Sequence, residues 1–203
     1  MPDAQPTKER ILDEALRLFA RDGYEAVSVS AIAGALGITK GALYRHYPGK
    51  RAIFEAIIER MVRLDHEAAG DCGVPQEQPT TEDEASPEAL RRFTLAQYRF
   101  WTEDGFAVRV RRMLCLEQFR SREMNALYQS MLVSGPVAYV QALLEGMMRA
   151  GRLREGDAHA LAVAYYAPML LMILMSDDQA AAPEPAALLE RHIDRFMEEH
   201  AIR

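Results

Sequence analysis

At 203 residues the chain is long enough for one sizeable domain, or for a small domain joined to a larger one, and too short for a large multidomain machine. Hydrophobic residues at 49% and charged residues at 27% describe a chain that buries a core, which excludes a disordered or collagen-like protein. Twenty-four Lys and Arg against 30 Asp and Glu give a net charge of -6, which excludes a surface that is basic all over. The opening MPDAQPTKER is polar and lacks the apolar core of a secretory signal, so a cytoplasmic protein is expected. The uncharged run Ala160 to Ser176 contains Pro168 and falls short of the ~20 residues that span a bilayer. It reads as a buried helix, and no membrane partner is expected. Cys72 and Cys115 share no short-range motif and the five histidines show no metal spacing, so neither a disulfide, a metal nor a cofactor is expected.

The apolar residues repeat with the period of a helix almost throughout, and no segment sustains a two-residue alternation, which predicts an all-α fold of about nine helices. Thr7 starts a first helix with Ile11, Ala15, Leu18 and Phe19 on one stripe, and Gly23 stops it. Ser28 caps a second helix running through Leu36, Gly37 breaks it, and Thr39 caps a third that reaches about Tyr47 before Pro48 and Gly49. A fourth begins near Lys50 and carries Ile53, Phe54, Ile57, Ile58, Met61 and Leu64 to about Ala69. Residues 70–86 hold Gly70, Gly73, Pro75 and Pro79 and the run Glu82, Asp83, Glu84, the composition of a mobile acidic loop.

Ser86 and Pro87 open a fifth helix to about Thr102, and a sixth spans about Phe106 to Phe119. A seventh begins near Arg122 and continues to about Met148, with a kink expected at Gly135 and Pro136. Asp157 caps an eighth, through about Met175, that is apolar around most of its circumference; the ninth, from Pro185 to about His200, is amphipathic. The pattern predicts four parts: a helix-turn-helix domain over 1–48, a connecting helix over 49–69, the loop over 70–86, and a regulatory and dimerisation domain over 87–203. More apolar surface lies on the last two helices than one small core hides. A homodimer interface is therefore expected through Tyr165, Met169, Met172, Leu189, Ile193, Phe196 and Met197, the alternative being a monomeric bundle around a greasy central helix.

The chemistry concentrates in residues 28 to 51. Two short helices meet at Gly37; Ile32 and Leu36 lie one turn apart, Ala33 is small enough for a close crossing, and Ile38 and Leu43 turn onto the same core. This is the pattern of a helix-turn-helix, whose second helix enters the DNA major groove. From Ala26 to Phe54 there is no Asp or Glu, while Lys40, Arg45, Lys50 and Arg51 fall in the same stretch. Residues 1–60 carry nine Lys or Arg and eight Asp or Glu, so the acidity lies further along the chain. A carboxylate-free face with positive corners suits a polyanion, because each neutralised phosphate releases counterions. Lys50 and Arg51 open a helix, where the macrodipole disfavours cations, so a phosphate held by the free amides and Lys50 is expected there, and Arg51 reads equally as part of that site or as an ordinary solvated charge.

Gly37-Ile38-Thr39-Lys40-Gly41-Ala42-Leu43-Tyr44-Arg45-His46-Tyr47, followed by Lys50 and Phe54, resembles the signature of the TetR family of bacterial transcriptional regulators. The stretch Leu18-Phe19-Ala20-Arg21-Asp22-Gly23-Tyr24 agrees, and the likeness covers about Thr7 to Ala56. It implies a homodimer with an N-terminal DNA-binding part and a C-terminal helical part that binds a small molecule. It also implies base-edge or backbone contacts from Thr39, Lys40 and Gly41, phosphate contacts from Tyr44 and Lys50, and flanking-strand anchors at Ser28 or Ser30, with Arg45 on the same surface and His46 serving either a phosphate contact or packing. Gly49, where the family often has a better helix cap, departs from the pattern. The implied action is repression at a near-palindromic operator, relieved by an effector.

Aromatic and Met residues of the regulatory half, namely Phe100, Trp101, Phe106, Met113, Phe119, Tyr128 and Met131, suit an adaptable apolar effector pocket and equally an ordinary core. Arg109, Arg111, Arg112, Arg120 and Arg122 read as a solvated basic face. No Gly-rich phosphate loop, HExxH or nucleophile elbow is present, which argues against an enzyme. The remaining alternative is a helical ligand-binding or scaffold protein whose helix-turn-helix serves packing only.

Overall fold

The computed structural model describes residues 7–71, 85–177 and 185–202. They form α1 (Thr7–Asp22), α2 (Val29–Ala35), α3 (Lys40–Tyr44), α4 (Lys50–Asp71), α5 (Pro87–Glu103), α6 (Gly105–Glu117), α7 (Arg122–Tyr128), α8 (Ser134–Arg149), α9 (Ala158–Met175) and α10 (Pro185–His200). A π-helical turn, Gln129–Val133, joins α7 to α8, so Arg122–Arg149 is one continuous helix of 28 residues and the described residues comprise nine continuous helices. α4 runs two residues beyond the expected end, through Gly70 and Asp71, and the loop expected over 70–86 otherwise falls mainly on residues 72–84, outside the described residues.

Local chemistry sets most of the helix ends. Ser28, Thr39, Ser86 and Asp157 cap α2, α3, α5 and α9, each side-chain oxygen accepting from the backbone N–H three residues on at 3.0–3.1 Å. Gly37, at φ +67°, ends α2; its N–H returns to the Gly34 carbonyl and the Ile38 N–H to the Ala33 carbonyl, the paired bonds that close a helix C-terminus.

The chain divides into two compact units that do not follow its linear order: Met1–Leu64 with Gly105–Tyr128, and Asp65–Asp104 with Gln129–Arg203. In the first unit Ile11, Leu12, Ala15, Leu16 and Phe19 of α1 are buried, and α6 packs along α1. Ile32, Leu43, Ile53, Phe54 and Ile57 extend that core beneath α2, α3 and α4. Burying a side chain of this size contributes ~1.5–3 kcal/mol, so the short α2 and α3 are held by packing more than by their own hydrogen bonds. The grouping of α6 and α7 with the N-terminal helices, rather than with residues 87–203, differs from the partition expected from the sequence.

In the second unit α9 lies against α8 and α10. The kink expected at Gly135 and Pro136 takes the form of the π-turn just before them. Pro136 has no N–H for the Leu132 carbonyl, which instead accepts from the Tyr166 hydroxyl at 2.8 Å. Gly135 is required, because a Cβ there would lie 1.9 Å from the Ser130 carbonyl oxygen. Pro168 lies inside the continuous helix α9, and one residue after the carbonyl it leaves without an N–H, His192 of α10 donates from Nε2 to the Tyr165 carbonyl at 2.8 Å. His192 thus fills a structural role between two helices, and no group of three or more His, Cys, Asp or Glu suited to a metal occurs among the described residues.

Candidate nucleic-acid interface

α2 and α3 present their polar edges to solvent. Ser28, Ser30, Thr39, Lys40, Gly41, Arg45 and His46 are exposed and Tyr44 is half-exposed, while Ile32, Ala33, Leu43 and Tyr47 face inward. All eight outward positions are ones expected from the sequence to contact DNA. Ser28 and Thr39 already spend a lone pair on capping, and their hydroxyl hydrogens remain free to donate outward. Gly41 meets no bulky neighbour: a Cβ there would find only Thr39 Oγ1, at 4.0 Å, so the α3 backbone is open to the outside at this point.

Lys50 departs from the expectation. Its Nζ donates to the Tyr24 carbonyl at 2.8 Å and the Glu25 carbonyl at 3.3 Å, and lies 4.3 Å from the centre of the Tyr24 ring; its side chain is 22% exposed. An ammonium has three donors, so a phosphate on Lys50 would share it with the turn after α1. Arg51 also departs. It forms a two-pronged bond to Glu123 of α7, both contacts 2.6 Å, and a third at 2.7 Å to Glu55. These partners hold the Arg51 guanidinium more firmly protonated than usual and the Glu123 carboxyl below its usual range. Tertiary contacts therefore account for both cations at the start of α4, where a phosphate role was expected. Apart from Glu55, their partners lie 25 to 72 residues away, beyond what local spacing reveals.

The residues expected to line an effector pocket divide between the units, with Phe106, Met113, Phe119 and Tyr128 in the first and Phe100, Trp101 and Met131 in the second. Phe100, Trp101, Phe106, Met113 and Tyr128 are buried and Met131 is half-buried, whereas Phe119 is 88% exposed and belongs to no core. Trp101 Nε1 donates to Gln97 Oε1 at 3.0 Å, and Gln97 Nε2 donates to Asp65 Oδ1 at 3.0 Å. Because indole can only donate, it fixes the orientation of the Gln97 amide. Burial pushes the Asp65 carboxyl up from its usual value. Arg111, expected on a solvated face, is buried instead.

The predicted dimer residues also turn inward. Tyr165, Met169, Leu189, Ile193 and Phe196 are buried within the single chain, and Met172 and Met197 are half-buried. Tyr165 stacks edge-on against Phe196 at 4.7 Å and its hydroxyl bonds Thr94 at 2.8 Å. The side of α9 left open is a different stripe: Ala160, Val163, Ala164, Ala167, Leu171 and Leu174 are all exposed, Leu171 by 58%.

Residues 11–57 match the family described as bacterial regulatory proteins, tetR family. The HTH-type transcriptional regulator AcrR of Shigella flexneri is 46% identical over 57 residues, 28% of this chain and 26% of that protein. The HTH-type transcriptional regulator UidR of Escherichia coli (strain K12) is 41% identical over 56 residues, 28% of this chain and 29% of that protein. The aligned part of the chain thus spans little more than a quarter of those curated relatives. Among solved structures, the TetR family transcriptional regulator PfmR from Thermus thermophilus has TM-score 0.66 at 26% identity, covering 93% of this chain and 97% of that one. A protein from Saccharomonospora viridis, solved in complex with choline, shares the fold at TM-score 0.68 and 20% identity over 97% of this chain and 98% of that one.

Proposed function

We propose that the chain is a homodimeric transcriptional regulator of the TetR family that represses at a near-palindromic operator and is released by a small-molecule effector, a reading supported by the match over residues 11–57 and by the likeness to AcrR and PfmR. The observation that carries the reading is the carboxylate-free stretch Ala26 to Phe54, whose exposed residues are the outer edges of two capped helices. Thr39, Lys40 and Gly41 meet base edges or the adjacent backbone, Tyr44 and Arg45 hold phosphates, Ser28 and Ser30 anchor the flanking strand, and His46 lies at the edge of the contact. Lys50 contributes mainly by fixing the turn that precedes α2.

The stripe Ala160, Val163, Ala167, Leu171 and Leu174 repeats at three- and four-residue intervals, the spacing of a helix packed against another, and no described element covers it. It replaces the buried residues as the proposed dimer seam. Replacing Leu171 with Glu is expected to shift the protein from dimer to monomer in analytical ultracentrifugation, and a variant that stays dimeric would remove α9 from the interface. In the dimer the two α3 helices meet successive major grooves ~34–36 Å apart.

The decisive experiment is binding of the purified protein to DNA upstream of its own reading frame, followed by fluorescence anisotropy across a salt series with non-specific competitor. Sequence-selective binding is expected, and Arg45→Ala is expected to lower the salt slope by about one. Equal affinity for promoter and random fragments would favour a ligand-binding protein whose helix-turn-helix only packs.

A further inference from the structure

The turn between α6 and α7, inside the first unit, carries an open surface hollow of about 310 Å³ lined by Gln118, Phe119, Arg120, Ser121, Arg122 and Asn125. Every polar lining side chain offers a hydrogen-bond donor and no carboxylate lines the space. Arg122 makes no ion pair among the described residues, and Arg120 is 60% exposed. Phe119 sets an exposed apolar ring beside the two guanidinium groups. Glu123, next in the chain, is turned away onto Arg51.

The same corner grips the turn after α1. Glu117, 1% exposed, accepts from the Tyr24 N–H at 3.0 Å and from Arg120 at 3.2 Å. Gly23 makes room for this contact, since a Cβ there would lie 2.5 Å from Glu117 Oε1. Arg120 therefore belongs both to the hollow and to a buried carboxylate that holds the backbone next to Lys50.

We propose that this hollow binds a small organic anion, a carboxylate or phosphate ester with an apolar body, and that occupancy loosens the Glu117 hold on Tyr24. The anionic head takes Arg120 and Arg122 with Ser121 and Asn125, and the apolar body lies on Phe119. Drawing Arg120 outward leaves the buried Glu117 carboxylate one charged donor short and raises the cost of holding it in place, so Arg120 serves either the anion or the Glu117 carboxylate that grips Tyr24. Any consequence for DNA rests on the proposed regulatory function; the binding itself does not.

The test uses the full chain with phenyl phosphate as probe, measured by calorimetry, while hydrogen exchange of the Tyr24 amide is followed by NMR. Saturable binding is expected, weakened about tenfold in an Arg120→Ala/Arg122→Ala variant. Phe119→Ala is expected to weaken phenyl phosphate but not inorganic phosphate, and saturation is expected to speed Tyr24 exchange by about threefold or more. An unfolding midpoint on each variant confirms that it is folded; Arg122→Ala alone, which leaves the Glu117 contacts intact, serves if the double variant is not. Equal binding by the variants, no saturation by about 10 mM, or Tyr24 exchange unchanged at saturation would each overturn the proposal. None of these readouts requires DNA, so they stand apart from a failure of the regulatory reading.

Discussion

Replacing Gly135 with alanine is expected to destabilise the protein by about 2–4 kcal/mol, read as a lower urea midpoint at unchanged slope. The added methyl would sit 1.9 Å from the Ser130 carbonyl oxygen, and that oxygen is backbone, with no rotamer to escape into. The π-turn has little freedom to relax, because Ser134 Oγ donates to the Gln129 carbonyl at 3.0 Å and the Leu132 carbonyl is held by Tyr166. Relief by reverting to an ordinary α-helical register would require an N–H at Pro136, which proline lacks. An alanine variant with an unchanged midpoint would mean that the turn is not built as described.

Gly41→Leu separates fold from function. Its side chain would enter open space, so the urea midpoint should stay within about 0.5 kcal/mol of the parent. Operator affinity should fall about 100-fold or more, because the added side chain would stand between α3 and the groove at the point of nearest approach. Anisotropy with the selected operator, paired with the urea curve, reads both quantities on one preparation. A leucine variant that binds as tightly as the parent would place the DNA contact elsewhere.

What could be read before the fold was known divides by range. Ser28, Thr39, Ser86 and Asp157 announce helix starts because a cap is a bond across three residues, and Gly37 announces a stop because its backbone angle is a property of one. The order and number of continuous helices follow from such signals. Lys50 and Arg51 resist the same treatment, since the carbonyls and the Glu123 carboxylate that engage them come from distant turns. α9 resists for another reason. A helix apolar on every side has no phase, so its sequence identifies no inward face, and Tyr165 and Met169 were as eligible for an interface as Leu171. Composition places Phe119 in a pocket with the other aromatic and Met residues, whereas it lines the separate hollow at the turn between α6 and α7.

Arg51 leaves one consequence at long range. Two carboxylates, Glu55 and Glu123, lie at the margin of the acid-free face, and a single guanidinium engages both. Its contribution to meeting a polyanion is therefore one of shielding: without it the potential at that margin would turn repulsive over a Debye length of ~8–10 Å, comparable to the width of a groove. On the proposed function, a side chain that need never touch the duplex helps decide how closely the duplex can come.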